Sequence, residues 1–171
     1  MRSGPEPTGD PFLDFRSSAW RLETQQVYSF PREIELLRRF LAGEPEPPID
    51  AQLQGWHDLV RTSVAAGKTI GRVRAVRRPL TDYVRCQFAW AIPHNIAAGE
   101  DIRILDLTDD LDLPDQDFWL FDDTDVLELN FRKDGTLLDR QMSTGPDVSR
   151  YLRWRQIALD HAVPFEDYVR S

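Results

Sequence analysis

Side chains that could do chemistry fall into two stretches of opposite charge. Lys68, Arg72, Arg74, Arg77, Arg78 and Arg85 share a segment in which Asp82 is the only acid, and residues 100–125 then hold eleven acids against Arg103 alone. The planar guanidinium fork of arginine suits phosphate or carboxylate recognition, so the first stretch could line an anion pocket. Arg72 and Arg74 stand two apart, which on a strand aims both at one face. The candidate ligand-binding set is Arg72, Arg74 and Arg85 with Arg103 and the carboxylates Asp117 and Asp122. The competing reading is internal neutralisation. A buried arginine without a partner is costly, and Glu23, Asp106 or Asp122 could pair with the two strand arginines.

Other chemistries find less support. Gly67-Lys68-Thr69 matches the tail of a phosphate-binding loop, but Thr62 stands where the earlier glycine is required. The segment also runs from a helix into a strand, the reverse of that motif's context. Asp110-Leu-Asp112 begins like a calcium loop, yet Asp115 replaces the turn glycine and no Glu closes the loop. Asp106, Asp109, Asp110, Asp112, Asp115 and Asp117 therefore read as a solvated acidic stretch. Cys86 has no histidine near it in sequence and reads as a small buried thiol. His57, His94 and His161 show no metal-ligand spacing, so no metal or cofactor is expected.

The elements that would position these groups follow from periodicity and breakers. Ala19 to Tyr28 alternates, with Trp20, Leu22, Thr24 and Gln26 on one face and Arg21, Glu23 and Gln25 on the other. Pro31 opens a helix that carries Ile34, Leu37, Phe40 and Leu41 and stops at Gly43. After the stiff connector at 44–48, Ile49, Leu53, Trp56, Val60 and Val64 form an amphipathic stripe that Gly67 ends. Residues 69–76 predict a strand, and Thr81 caps a helix that Pro93 kinks or ends. Strands are predicted over 102–107, 118–121 and 126–131, the last with one buried face. Asp134-Gly135 marks a hairpin into a strand near 136–142. A helix after Gly145-Pro146 runs to about Ala162, and a short turn covers 164–169. This order predicts an α/β protein: a mixed sheet with helices packed on it, in which 69–107 forms a parallel strand–helix–strand crossover. Trp20, Trp56, Trp119 and Phe121 read as core; core packing is also the default for Tyr151, Trp154 and Tyr168, which could otherwise form a partly exposed aromatic strip for a partner.

The chain has 171 residues, 41% of them hydrophobic, enough to fill one domain core; 1–11 reads as a disordered arm and 12–171 as a single domain. A net charge of −8 opposes direct nucleic-acid binding or attachment to anionic lipid. The lone Cys86 fits a reducing compartment, and neither a signal core nor a membrane-length apolar run is present, so a cytoplasmic location is expected.

Two resemblances add to this reading. R-V-R-A-V (72–76), A-A-G-E-D-I-R-I-L (97–105), D-F-W-L-F-D (117–122) and V-L-E-L-N-F (126–131) together resemble one half of a phospholipase D-like domain over roughly 69–160. That superfamily carries His-x-Lys on a core strand. Here Asp117 stands in the place of the His and Trp119 in the place of the Lys, and no His-x-Lys pair occurs in the chain. The resemblance thus implies the architecture without its phosphodiester chemistry, and a homodimer by analogy with paired halves. F-R-S-S-A-W-R-L-E-T (15–24), P-L-T-D-Y-V-R (79–85), A-G-E-D-I-R (98–103) and D-F-W-L-F-D (117–122) are similar to an actinobacterial domain family of unassigned function. Its members are typically encoded beside, or fused to, helix-turn-helix regulators. This resemblance implies a regulatory protein partner and supplies no catalytic residue. The expectation is a non-enzymatic regulatory or protein-interaction module. The alternative is a sensor or enzyme that binds an anionic, phosphorylated small molecule through an arginine-lined pocket.

Overall fold

A computed structural model describes residues 7–144 and 147–171. Its centre is a seven-stranded mixed sheet of order β6-β5-β4-β1-β2-β3-β7. The strands are β1 (Ser18–Glu23), β2 (Thr69–Val76), β3 (Asp101–Asp106), β4 (Asp117–Phe121), β5 (Asp125–Phe131), β6 (Leu137–Thr144) and β7 (Val163–Pro164). β1, β2 and β3 run parallel, and the remaining neighbours pair antiparallel. The helices are α1 (Pro11–Asp14), α2 (Pro31–Leu41), α3 (Ala51–Ala65), α4 (Asp82–Trp90), α5 (Ile92–Ala98), α6 (Val148–His161) and α7 (Phe165–Arg170). None is long and apolar enough to cross a membrane, among the described residues.

Local chemistry sets most boundaries. Pro31 takes the first turn of α2, Asp50 accepts from the Leu53 amide to cap α3, and Thr81 accepts from the Val84 amide to cap α4. Pro93 falls in the first turn of α5, and of the two outcomes expected there the helix ends, with a break at Ala91 between two short helices. Gly135 turns the β5–β6 hairpin at φ +88°, and a Cβ there would lie 2.6 Å from the Val27 carbonyl oxygen.

Alternation splits the core between the two faces. Trp20, Leu22, Val73, Ala75, Phe118, Leu120 and Val126 pack under Tyr151 and Ala158 of α6. On the opposite face, Ala19, Ile70, Trp119, Phe121, Leu127 and Leu129 meet Phe15 and Val60. A third cluster joins Ile102 and Ile104 to Val84, Phe165 and Tyr168.

Several expectations are corrected here. β1 stops at Glu23; Thr24 to Tyr28 leave the sheet because the Thr24 amide is drawn to the Asp117 carboxylate instead of a neighbouring strand. β5 buries both faces, since Val126 packs toward α6 while Leu127 and Leu129 pack opposite. The terminal turn includes the small strand β7, paired with Arg103 and Ile104. Tyr151 and Tyr168 are buried, so the core reading holds for them and the alternative of an exposed aromatic strip does not. Of the arm expected over 1–11, residues 1–6 lie outside the described residues, as does the Gly145-Pro146 helix signal. Asp14 holds the Thr8 and Gly9 amides, and Asp10 caps α1.

Candidate functional site

Two rows of residues cross the sheet on the face opposite α6. Met142, Leu127, Trp119, Arg21, Arg72 and Ile102 pair in succession from β6 to β3. Beside them stand Arg140, Leu129 and Asp117, and then Glu23, Arg74 and Ile104. Period-two geometry thus sets Arg21, Arg72 and Arg74 beside Glu23 and Asp117 on one buried surface, with the exposed Arg140 at the β6 end.

Glu23 is the hub. Its Oε1 lies 3.0 Å from Arg74 Nε and accepts from Gln87 Nε2 at 2.5 Å; its Oε2 accepts from Arg72 Nη1 at 2.7 Å and lies 3.6 Å from Arg21 Nη1. Arg72 also donates Nε to Glu100 at 2.6 Å. Arg74 is fully buried; Nη1 donates to the Glu23 and Ala75 carbonyls, and Nη2 has no partner among the described residues. Asp117, also fully buried, accepts from the Thr24 amide at 2.8 Å, Thr24 Oγ1 at 2.6 Å, Arg21 Nη2 at 2.9 Å and Tyr28 Oη at 2.5 Å. Arg21, Arg72 and Arg74 are thereby balanced by Glu23, Asp117 and Glu100. The reading of internal neutralisation accounts for this set, with Glu23 as the shared partner and Glu100 in place of Asp106 or Asp122.

Burial alone would raise the Glu23 carboxyl, but Arg21, Arg72, Arg74 and the Gln87 hydrogen bond outweigh it and hold it at about 2. Its ordinary value is 4.5, so the folded state favours the carboxylate. The resulting stability is present above about pH 4.5 and is lost as the pH falls toward 2, roughly 3 kcal/mol in all. Burial raises Glu33, whose protonation offsets part of that loss. Unfolding free energies from urea titrations should therefore fall between pH 5 and pH 3; an unchanged value would contradict the network.

The six sequence candidates separate. Arg72, Arg74 and Asp117 converge on the sheet face. Arg85 pairs with Asp82 on the exposed side of α4, and Arg103 pairs with Asp101 at 3.3 Å. Asp122 turns the chain instead, accepting from the Arg16, Ser17 and Ser18 amides, which outweigh burial and lower its carboxyl. Asp117 is not part of a solvated acidic loop. Burial raises the Cys86 thiol to about 11, which suits a packed side chain better than a nucleophile.

Above the charged floor lies a cleft of about 510 Å³ between the sheet and the N-terminal parts of α2 and α3. Arg21, Arg72, Trp119 and Leu129 form its floor, with Trp56, Phe30 and Phe131 on its walls and Arg32 and Arg140 also lining it. Arg72 lies over the Trp119 ring at 5.9 Å, and Trp56 Nε1 donates to Glu100 at 3.2 Å, tying the wall to the network. Arg32 pairs with the half-exposed Asp50, while Arg140 makes no ion pair among the described residues. Arg85 and Arg103 do not line the cleft. Arg21 could have been found in the sequence, two positions before Glu23 on an alternating strand. Arg140 and Arg32 gave no such signal, because their convergence depends on strand order.

The fold and site define a mixed α/β domain with a neutralised charge layer beneath an arginine-bearing cleft. The chain belongs to the family described as a domain of unknown function, DUF6879, whose model matches residues 8–170. No curated protein matches it.

Proposed function

We propose that this domain is a cytoplasmic, non-enzymatic binding module that takes a small anion in the cleft and signals its occupancy to a protein partner. The observation that carries this reading is the placement of Arg72. Glu23 and Glu100 fix two of its nitrogens, Nη2 makes no hydrogen bond to a described residue, and its guanidinium lines the cleft. A ligand would meet a charge already oriented, at little ordering cost. Arg140 adds positive charge, Arg32 is offset by Asp50, Asp10 and Glu33 also line the cleft, and a volume near 510 Å³ suits a small molecule.

The carboxylates support a binding role over a catalytic one. Glu23 is too weak a base at about 2, and Asp117, which stands where the phospholipase D-like likeness has its histidine, is engaged by four donors. The parallel β2–β3 pair followed by antiparallel β4 and β5 supports that likeness at the level of architecture. The uncovered edge of β6, with exposed Leu138 and Met142, supports a protein partner. The likeness to actinobacterial domains found beside helix-turn-helix regulators makes such a regulator the partner to test, with a second copy of the chain as the other.

Thermal unfolding in phosphate and in benzoate tests the binding reading. Each should raise the melting temperature of the wild type in a saturable way, and Arg140→Gln, a change outside the buried network, should reduce the rise. No saturable rise with either anion would contradict it.

A further inference from the structure

Resting on that reading, we infer that the ligand is an organic anion with a flat aromatic body: a carboxylate or phosphate group set on Arg72, and a ring laid against Trp56, Phe30 and Phe131, with Arg140 adding positive charge at the β6 end of the cleft. The cleft is built in two parts. Its cationic part lies on the sheet, where Arg72 is anchored by two carboxylates and Arg140 stands on β6 with no ion pair among the described residues; Asp10 and Glu33 line the cleft as well. Its other part is aromatic. Phe30 and Phe131 meet edge to face at 6.1 Å, and Trp56 and Trp119 do so at 5.7 Å.

These rings hold their positions before any ligand arrives. Trp56 is anchored through Nε1 to Glu100, the same carboxylate that orients Arg72. Phe12 of α1 sets its edge on both Trp56 and Trp119, at 5.8 and 5.0 Å. Trp56, Phe30 and Phe131 are only half-buried, so part of each ring remains open to contact. Aromatic pairs gain from offset or edge-to-face geometry beyond the area they bury, which a saturated ring of similar size does not reproduce. An inorganic anion would use the arginines and leave the rings uncovered.

Isothermal titration of the intact wild-type chain with benzoate, cyclohexanecarboxylate, phenyl phosphate and inorganic phosphate tests this. Benzoate should bind about tenfold tighter than cyclohexanecarboxylate, and phenyl phosphate about tenfold tighter than inorganic phosphate. The tighter of the two aromatic ligands identifies the acid group. Trp56→Leu should shrink both ratios while Arg140→Gln weakens all four ligands alike. Equal affinities within each pair, still weakened by Arg140→Gln, would overturn the aromatic inference and leave the anion site standing. No binding by any of the four would overturn both. The within-pair ratios are read on the wild type, so an unfolded Trp56 variant does not rescue the proposal.

Discussion

Glu23→Gln should lower the unfolding free energy by about 3–5 kcal/mol, among the largest effects available to a single isosteric change in this protein. The side chain keeps its shape but loses its charge. Both oxygens face donors: Gln87 Nε2 and Arg74 Nε on one, Arg72 and Arg21 Nη1 on the other. Either orientation of the new amide sets an NH2 group against them, and three guanidiniums are left with only Asp117 and Glu100. Urea or guanidinium unfolding monitored by tryptophan fluorescence checks this. A loss below about 1 kcal/mol would mean that the buried arginines do not depend on Glu23.

Asp117→Asn should cost a comparable amount, about 3–5 kcal/mol, for a related reason. Oδ1 accepts from the Thr24 amide and hydroxyl, and Oδ2 from Arg21 Nη2 and Tyr28 Oη. An asparagine Nδ2 must meet one of these donor pairs. The loss of the Thr24 contact also frees the bend that ends β1, so the variant should show faster amide exchange over Thr24–Tyr28 than Glu23→Gln does. Wild-type stability and exchange in Asp117→Asn would contradict the proposed hydrogen-bond set.

The legibility of this fold tracks the range of the interactions that set it. Caps and breakers act within a few residues, so Pro31, Thr81, Pro93 and Gly135 mark their elements directly in the sequence. Alternation over 69–76 placed Arg72 and Arg74 on one face, where they are found. Glu23 is among the partners the sequence offers those arginines, but Glu100 is not, because it lies far away along the chain and is brought in by the parallel register of β2 with β3 and by the Gly99 turn. Strand-like alternation continued to Tyr28 in sequence, yet Asp117 draws the chain out of the sheet at Thr24 through a contact 93 positions away. Tyr151 and Tyr168 read as core by default, with an exposed strip near the C-terminus as the alternative. Their burial follows from α6 crossing the second sheet face and α7 packing on β3, which local pattern does not encode. The cleft is the extreme case, since Arg32, Arg72 and Arg140 come from α2, β2 and β6.

The central claim is that one cleft, floored by Arg72 and bearing Arg140, binds an anion, and that Arg85 and Arg103, which lie outside it, do not. Arginine Nε–Hε NMR spectra of the wild-type chain, recorded across a titration with phenyl phosphate, test it most directly. Saturable shifts at Arg72 and Arg140, with Arg85 and Arg103 unmoved, are the predicted result. Shifts confined to Arg85 and Arg103, or none at Arg72 and Arg140 at saturating ligand, would contradict it.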